Sequence, residues 1–164
     1  MPIIDVDKDL ENHRMTVMAE YDAPAERVWQ LYADPRQLER FWGPAEWPAT
    51  VVDHDLAPGG RVTYFMTGPD GERSSGYWDV LEVDAPWRFV VEDGFAHDTG
   101  TPDPTMPTTR MELELTERPG GGTTMTVRST FPSTEAMQQM IEMGMEEGMR
   151  SAMSQIDPIL AEAG

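Results

Sequence analysis

No cysteine occurs in the 164 residues, which removes disulfide frameworks, thiolate metal sites and a cysteine nucleophile from consideration. Basic residues are scarce: twelve lysines and arginines face thirty aspartates and glutamates, for a formal net charge of −18. Such a field repels phosphate backbones and anionic lipid surfaces, so nucleic-acid and membrane-surface roles are excluded as first readings. No window approaches the roughly 20 apolar residues of a membrane span. The opening "MPIIDVDKDLENHRM" has no basic start followed by an apolar run. The expectation is a soluble, cytoplasmic protein of one domain, residues 1–164, since this length buries a real core without sufficing for two.

Histidine is sparse as well. His13, His54 and His97 lie far apart and form no metal-ligand spacing, and "HDTGTPD" carries carboxylates without a calcium-loop pattern. No serine sits in a nucleophile-elbow context. The "PGG" and "GGG" runs read as hairpin turns, because neither opens a helix as phosphate-cradling loops do. No cofactor and no metal are expected.

What is present is a period that changes along the chain. After residues 1–12, read as an N-terminal extension, "MTVMAEY" places Met15, Val17, Ala19 and Tyr21 on one face of a strand. Two short helices follow: "DAPAERVWQLYADP", with Pro24 in its first turn and Asp34-Pro35 as its stop, and "RQLERFW", ending at Gly43-Pro44. From there to residue 131 the pattern is a meander of about six strands. Phe89 and Val91 share a face, as do Met111 and Leu113. The stretch 93–109, rich in Gly, Pro, Asp and Thr, is longer than an ordinary connection and is read as a loop able to act as a lid.

The last segment returns to helical spacing from Ser133 or Thr134 to about Ala161, with Pro158 as a kink or local break near its end. "MQQMIEMGMEEGMRSAM" holds six of the thirteen methionines and two glycines. On one continuous helix, Met137, Ile141, Met145, Met149, Ala152, Ile156 and Ile159 fall in a single apolar arc, with Met140 and Met143 on the other side. A glycine inside a helix costs about 1 kcal/mol relative to alanine. Gly144 and Gly148 therefore either let the helix approach the sheet closely or leave volume for a ligand. Soft thioethers fit both an irregular core and an adaptable cavity wall.

Together these elements make an α+β arrangement of the helix-grip type. A curved antiparallel sheet of about seven strands wraps a long C-terminal helix, with two short helices after the first strand. Five stretches, "VWQLYADPRQLERFWGP", "DLAPGGRVTYFM", "SGYWDVLEVDAPWRFVVE", "GGGTTMTV" and "MGMEEGMRSAMSQIDPILAE", resemble in order and spacing the START-like (SRPBCC) superfamily. The resemblance is to the branch related to the C-terminal domain of the activator of heat-shock protein 90 ATPase, and it covers roughly residues 13 to 163. One departure is Gly148-Met149, where relatives often place tryptophan after the glycine.

The resemblance implies a cavity between sheet and final helix that holds a hydrophobic or aromatic small molecule. Tyr64, Met66, Phe89, Val91, Met111, Leu113, Met145 and Met149 are expected as its wall, with Trp42 and Phe95 near the entrance. A chaperone-binding module, or a homodimer, is the alternative that relies on the surface. A polyketide cyclase-like enzyme is the alternative that uses the same cavity, with Glu20, Asp79, Tyr64, Tyr77 or His97 as acid–base candidates.

Overall fold

A computed structural model describes residues 3–162. In chain order the elements are β1 (Ile3–Asp9), β2 (Arg14–Tyr21), α1 (Ala25–Ala33), α2 (Pro35–Phe41), β3 (Ala49–His54), β4 (Arg61–Thr67), β5 (Arg73–Asp84), β6 (Arg88–Ala96), β7 (Thr109–Glu117), β8 (Thr123–Thr130), α3 (Thr134–Glu142), α4 (Met145–Met153) and α5 (Ile156–Leu160). All neighbouring strands pair antiparallel in the order β1-β2-β8-β7-β6-β5-β4-β3. The helix-grip α+β class holds. The eighth strand comes from residues expected as an extension, whose β1 pairs with β2 at one edge of the sheet. Among the described residues no helix is long and apolar enough to cross a membrane.

Alternation decides which face is inside. Met15, Val17, Ala19 and Tyr21 of β2 are buried, and Met111, Leu113 and Leu115 of β7 and Phe89 and Val91 of β6 join them on the concave face. The opposite positions carry Arg88, Arg128 and Glu112, linked across strands by Arg88 Nε to Glu112 at 2.6 Å and Arg128 Nη1 to Glu112 at 3.0 Å. Helices α1 and α2 cross from β2 to the far edge at β3. Asp34 ends the first helix and caps the second, accepting a hydrogen bond from the Arg36 N–H at 2.9 Å ahead of which Pro35 needs no donor. Val28, Trp29, Leu31 and Tyr32 of α1 fill the concavity, where Phe89 stacks on Trp78 at 5.6 Å and meets Trp29 edge-on at 5.8 Å.

The C-terminal segment is three helices rather than the single one expected. Gly144 adopts φ +89°, left-handed backbone that ends α3 and starts α4 in a new direction. A second break falls at Ser154 and Gln155. Pro158, expected to mark a kink or local break, follows that break and occupies the first turn of α5, where its missing N–H would have had no partner in the helix. Met137, Ala152, Met153, Ile156 and Ile159 are the buried side chains that tie the segment to the sheet. Burial of each large one is worth roughly 1.5–3 kcal/mol, more than a break in the helix forfeits.

Candidate functional site

Between the sheet and α3 lies a cavity of about 90 Å³. Tyr64 and Met66 of β4, Gly76 of β5, Asp93 and Phe95 of β6 and Thr109 of β7 form its sheet side, and Met140 of α3 and Pro107 of the preceding loop close it. Cross-strand pairing aligns Tyr64 with Gly76 and Gly76 with Phe95, so these residues stand in one row. Two larger hollows lie elsewhere. One of about 410 Å³ sits at the β5–β6 turn around Trp87, and one of about 230 Å³ lies on the outer sheet face, where Arg88 and Arg128 are already in ion pairs. The carboxylates around both are exposed to solvent or paired with arginine, so the smaller cavity is the chemically distinctive one.

Its polar feature is a pair. The Tyr64 hydroxyl donates to Asp93 Oδ1 at 2.9 Å. Glycine makes this possible: a Cβ on Gly76 would stand 2.5 Å from the Tyr64 hydroxyl, so only glycine lets the phenol lie across β5 and reach β6. Asp93 retains some solvent access at the opening but is otherwise surrounded by protein. Desolvation, with help from the negative charge of Glu92, pushes its carboxyl up to about 7, against the opposing pull of the Tyr64 hydroxyl and the Gly94 N–H. Burial and the facing carboxylate likewise hold the Tyr64 phenol well above its ordinary value. Among the described residues no lysine or arginine contributes to Asp93, whose charge is left without a cation.

Trp42 packs edge-on against both Tyr64, at 5.9 Å, and Trp78, at 4.8 Å. The indole N–H of Trp42 helps to lower the Tyr64 pKa, yet neither it nor that of Trp78 makes a hydrogen bond of good geometry, and both nitrogens are buried. The concave face thus carries two unused donors beside the Tyr64–Asp93 pair.

Of the expected wall, Tyr64, Met66 and Phe95 line the cavity and Trp42 backs Tyr64. Phe89, Val91, Met111 and Leu113 face inward as their spacing predicts but are buried in the core below it. Met145 and Met149 are partly buried against the core and do not reach the cavity, whereas Met140, placed on the far side of a continuous helix, does. The break at Gly144 is the reason, since one helical wheel cannot describe α3 and α4 together. The loop read as 93–109 is shorter, because β6 runs on to Ala96. Residues 97–108 remain, pinned by the Asp103 N–H to the Phe95 carbonyl at 2.9 Å and by a bridge between Ala96 and Pro102.

The acid–base candidates separate in the same way. Only Tyr64 faces the cavity. Glu20 lies near Arg118, Asp79 pairs with Arg61 at 2.7 Å, Tyr77 lies under the Arg61 guanidinium on the outer face, and His97 is exposed in the loop. Asp93 falls at the start of the stretch 93–109, read as a loop on its content of Gly, Pro, Asp and Thr. The alternation that puts Phe89 and Val91 inside continues to Asp93 and Phe95, and that was its available signal.

The sequence profile of the family described as Activator of Hsp90 ATPase homolog 1-like protein matches residues 22–161. The chain is similar to the crystal structure of protein Ms6760 from Mycobacterium smegmatis, at 51% identity and a TM-score of 0.90, over 99% of each chain. It is similar to the solution structure of a protein from Arthrobacter aurescens at 46% identity and a TM-score of 0.91, covering 98% of this chain and 93% of that one. A third, from Staphylococcus epidermidis, is 30% identical with a TM-score of 0.82, over 98% of both chains. No curated protein matches it. By profile and by structure alike, with its eight-stranded sheet and its closing C-terminal helices, the chain belongs to the Activator of Hsp90 ATPase homolog 1-like family of the START-like superfamily.

Proposed function

We propose that the chain binds a small apolar or aromatic molecule with one polar group, in the space between β4–β7 and α3. The observation that carries this reading is the Tyr64–Asp93 pair, a desolvated polar anchor opening into a cavity whose large apolar walls are Met66, Phe95 and Met140. At about 90 Å³ the cavity is smaller than the ~300–1,000 Å³ typical of small-molecule sites. Occupancy therefore requires α3 to yield. Its only fully buried side chain is Met137, and Gly144 at its end supplies a joint. Loop 97–108, with Pro107 at the rim, acts as the lid, and the inward-facing Phe89, Val91, Met111 and Leu113 form the floor that a larger ligand would reach.

Native and denaturing mass spectrometry of the protein purified gently from its own host tests this. A stoichiometric extra mass that disappears on denaturation is the expected result. Replacing Met140 with tryptophan should remove it, and an unchanged adduct in that variant would place the ligand elsewhere.

A second reading, acid–base catalysis on the bound molecule, is favoured by one feature: Asp93 titrates near neutrality beside a phenol. In that case Asp93→Asn removes turnover while affinity survives. A protein-partner role of the kind named in the family's description draws on no feature of this site.

A further inference from the structure

The polar end of the cavity carries more than a generic anchor. Asp93 sits among aromatic and thioether side chains with one oxygen bonded to Tyr64 and no arginine or lysine contributing to it. A buried carboxylate without a cation is an expensive arrangement, and it persists where something else supplies the compensation. The neighbours match a cation rather than an anion. Tyr64 and Phe95 present π-faces or edges, Met66 and Met140 present polarizable sulfur, and the hydroxyl-bearing Ser74 and Thr109 line the same space. An ammonium has three donors and needs about that many acceptors, which Asp93, the Tyr64 oxygen and these two hydroxyls provide. A carboxylate or phosphate ligand would instead meet Asp93 and Glu92, in the field of a chain whose net charge is −18.

Resting on the binding reading above, we propose that the ligand is a lipophilic amine, whose protonated nitrogen is held by Asp93 and Tyr64 while its apolar body lies against Met66, Phe95 and Met140. Binding then neutralises a desolvated carboxylate to which, among the described residues, no lysine or arginine contributes. The charged or titratable groups reaching Asp93 are Tyr64 from β4, Glu92 from its own strand and Tyr77 from β5, whose phenol is held above its ordinary value chiefly by burial and so stays neutral. The other facing side chains from β5, β7 and α3 are Ser74, Thr109 and Met140, all uncharged. The pH response of amine binding is therefore governed by Asp93.

Benzylamine, cationic at neutral pH, and benzyl alcohol, its neutral counterpart of the same size, separate the claims by calorimetric titration of the full chain at pH 8 and physiological salt. The expected result is that benzylamine binds roughly tenfold or more tightly than benzyl alcohol, as a charge-assisted hydrogen bond implies. The preference should vanish in Asp93→Asn, where both probes meet a neutral amide. It should also shrink in the unaltered protein below about pH 6, as Asp93 takes up a proton. Tighter or equal binding of benzyl alcohol overturns the amine and leaves the binding site standing. So does a preference that persists in Asp93→Asn, which would mark diffuse attraction to the acidic surface. Binding of neither probe overturns both readings.

Discussion

At the scale of single residues, Asp93 couples the cavity to stability. Its carboxyl, ordinarily near 3.8, rises to about 7 in the folded chain. Folded protein therefore holds a proton there that unfolded protein has released. The group's contribution is fully present below pH 3.8 and is lost as the pH rises through about 7. Asp93→Asn, which needs no proton to stay neutral, should be more stable than the parent at pH 8 by about 1–3 kcal/mol, with the advantage gone near pH 4. Urea melts at the two pH values measure this, and equal differences at both would show that Asp93 is not desolvated.

Gly76 makes a second point at this scale. A methyl group there meets the Tyr64 ring, so Gly76→Ala should cost roughly 1–3 kcal/mol and displace the phenol from Asp93. In a double-mutant cycle most of that cost should disappear once Tyr64 is alanine. An additive cycle would mean that the glycine is required for some other reason.

Among elements, the two glycines of the C-terminal segment look alike in composition and behave oppositely in structure. Gly144 has left-handed backbone, and an alanine there should destabilise the fold by about 1–2 kcal/mol. Gly148 lies inside α4, where a Cβ would meet only Pro44 Cγ at an ordinary 3.6 Å, so Gly148→Ala should stabilise by about 0.5–1 kcal/mol. Thermal melts of the two variants should move in opposite directions.

This pair also marks where sequence reading stops. The apolar spacing identified Met137, Ala152, Ile156 and Ile159 correctly, because burial follows period whatever the path of the axis between helices. It misplaced Met140 and joined three helices into one, because a backbone angle at residue 144 leaves no trace in hydropathy. Strands were legible where one face is buried, as in β2 and β7. Strand β1 was not, since none of its residues is buried and its pairing rests on backbone hydrogen bonds. Asp93-Gly94 has the composition of a loop for a reason specific to this fold: Gly94 is required because the Tyr77 ring lies within 2.7 Å of where its Cβ would be.

For the molecule as a whole, charge dominates. With a net charge of −18 and ion pairs that are mostly at the surface, self-repulsion should outweigh pairing. Raising sodium chloride from about 10 mM to about 500 mM, which shortens the Debye length from ~30 Å to a few ångströms, should therefore raise Tm. A fall would show that the Arg88–Glu112–Arg128 ladder and its like contribute more than repulsion removes.

The sheet is open, with β1 at one margin and β3 at the other. An exposed margin of unpaired peptide groups ordinarily invites the strand of another molecule. Here one margin carries Asp5, Asp7 and Asp9, so a second copy approaching it brings negative charge against negative charge. The other is interrupted by a bulge between Val51 and Asp53, which spoils the regular ladder that a newcomer would need. The same acidity thus guards the protein against polymerising with itself, and it should stay dispersed when crowded.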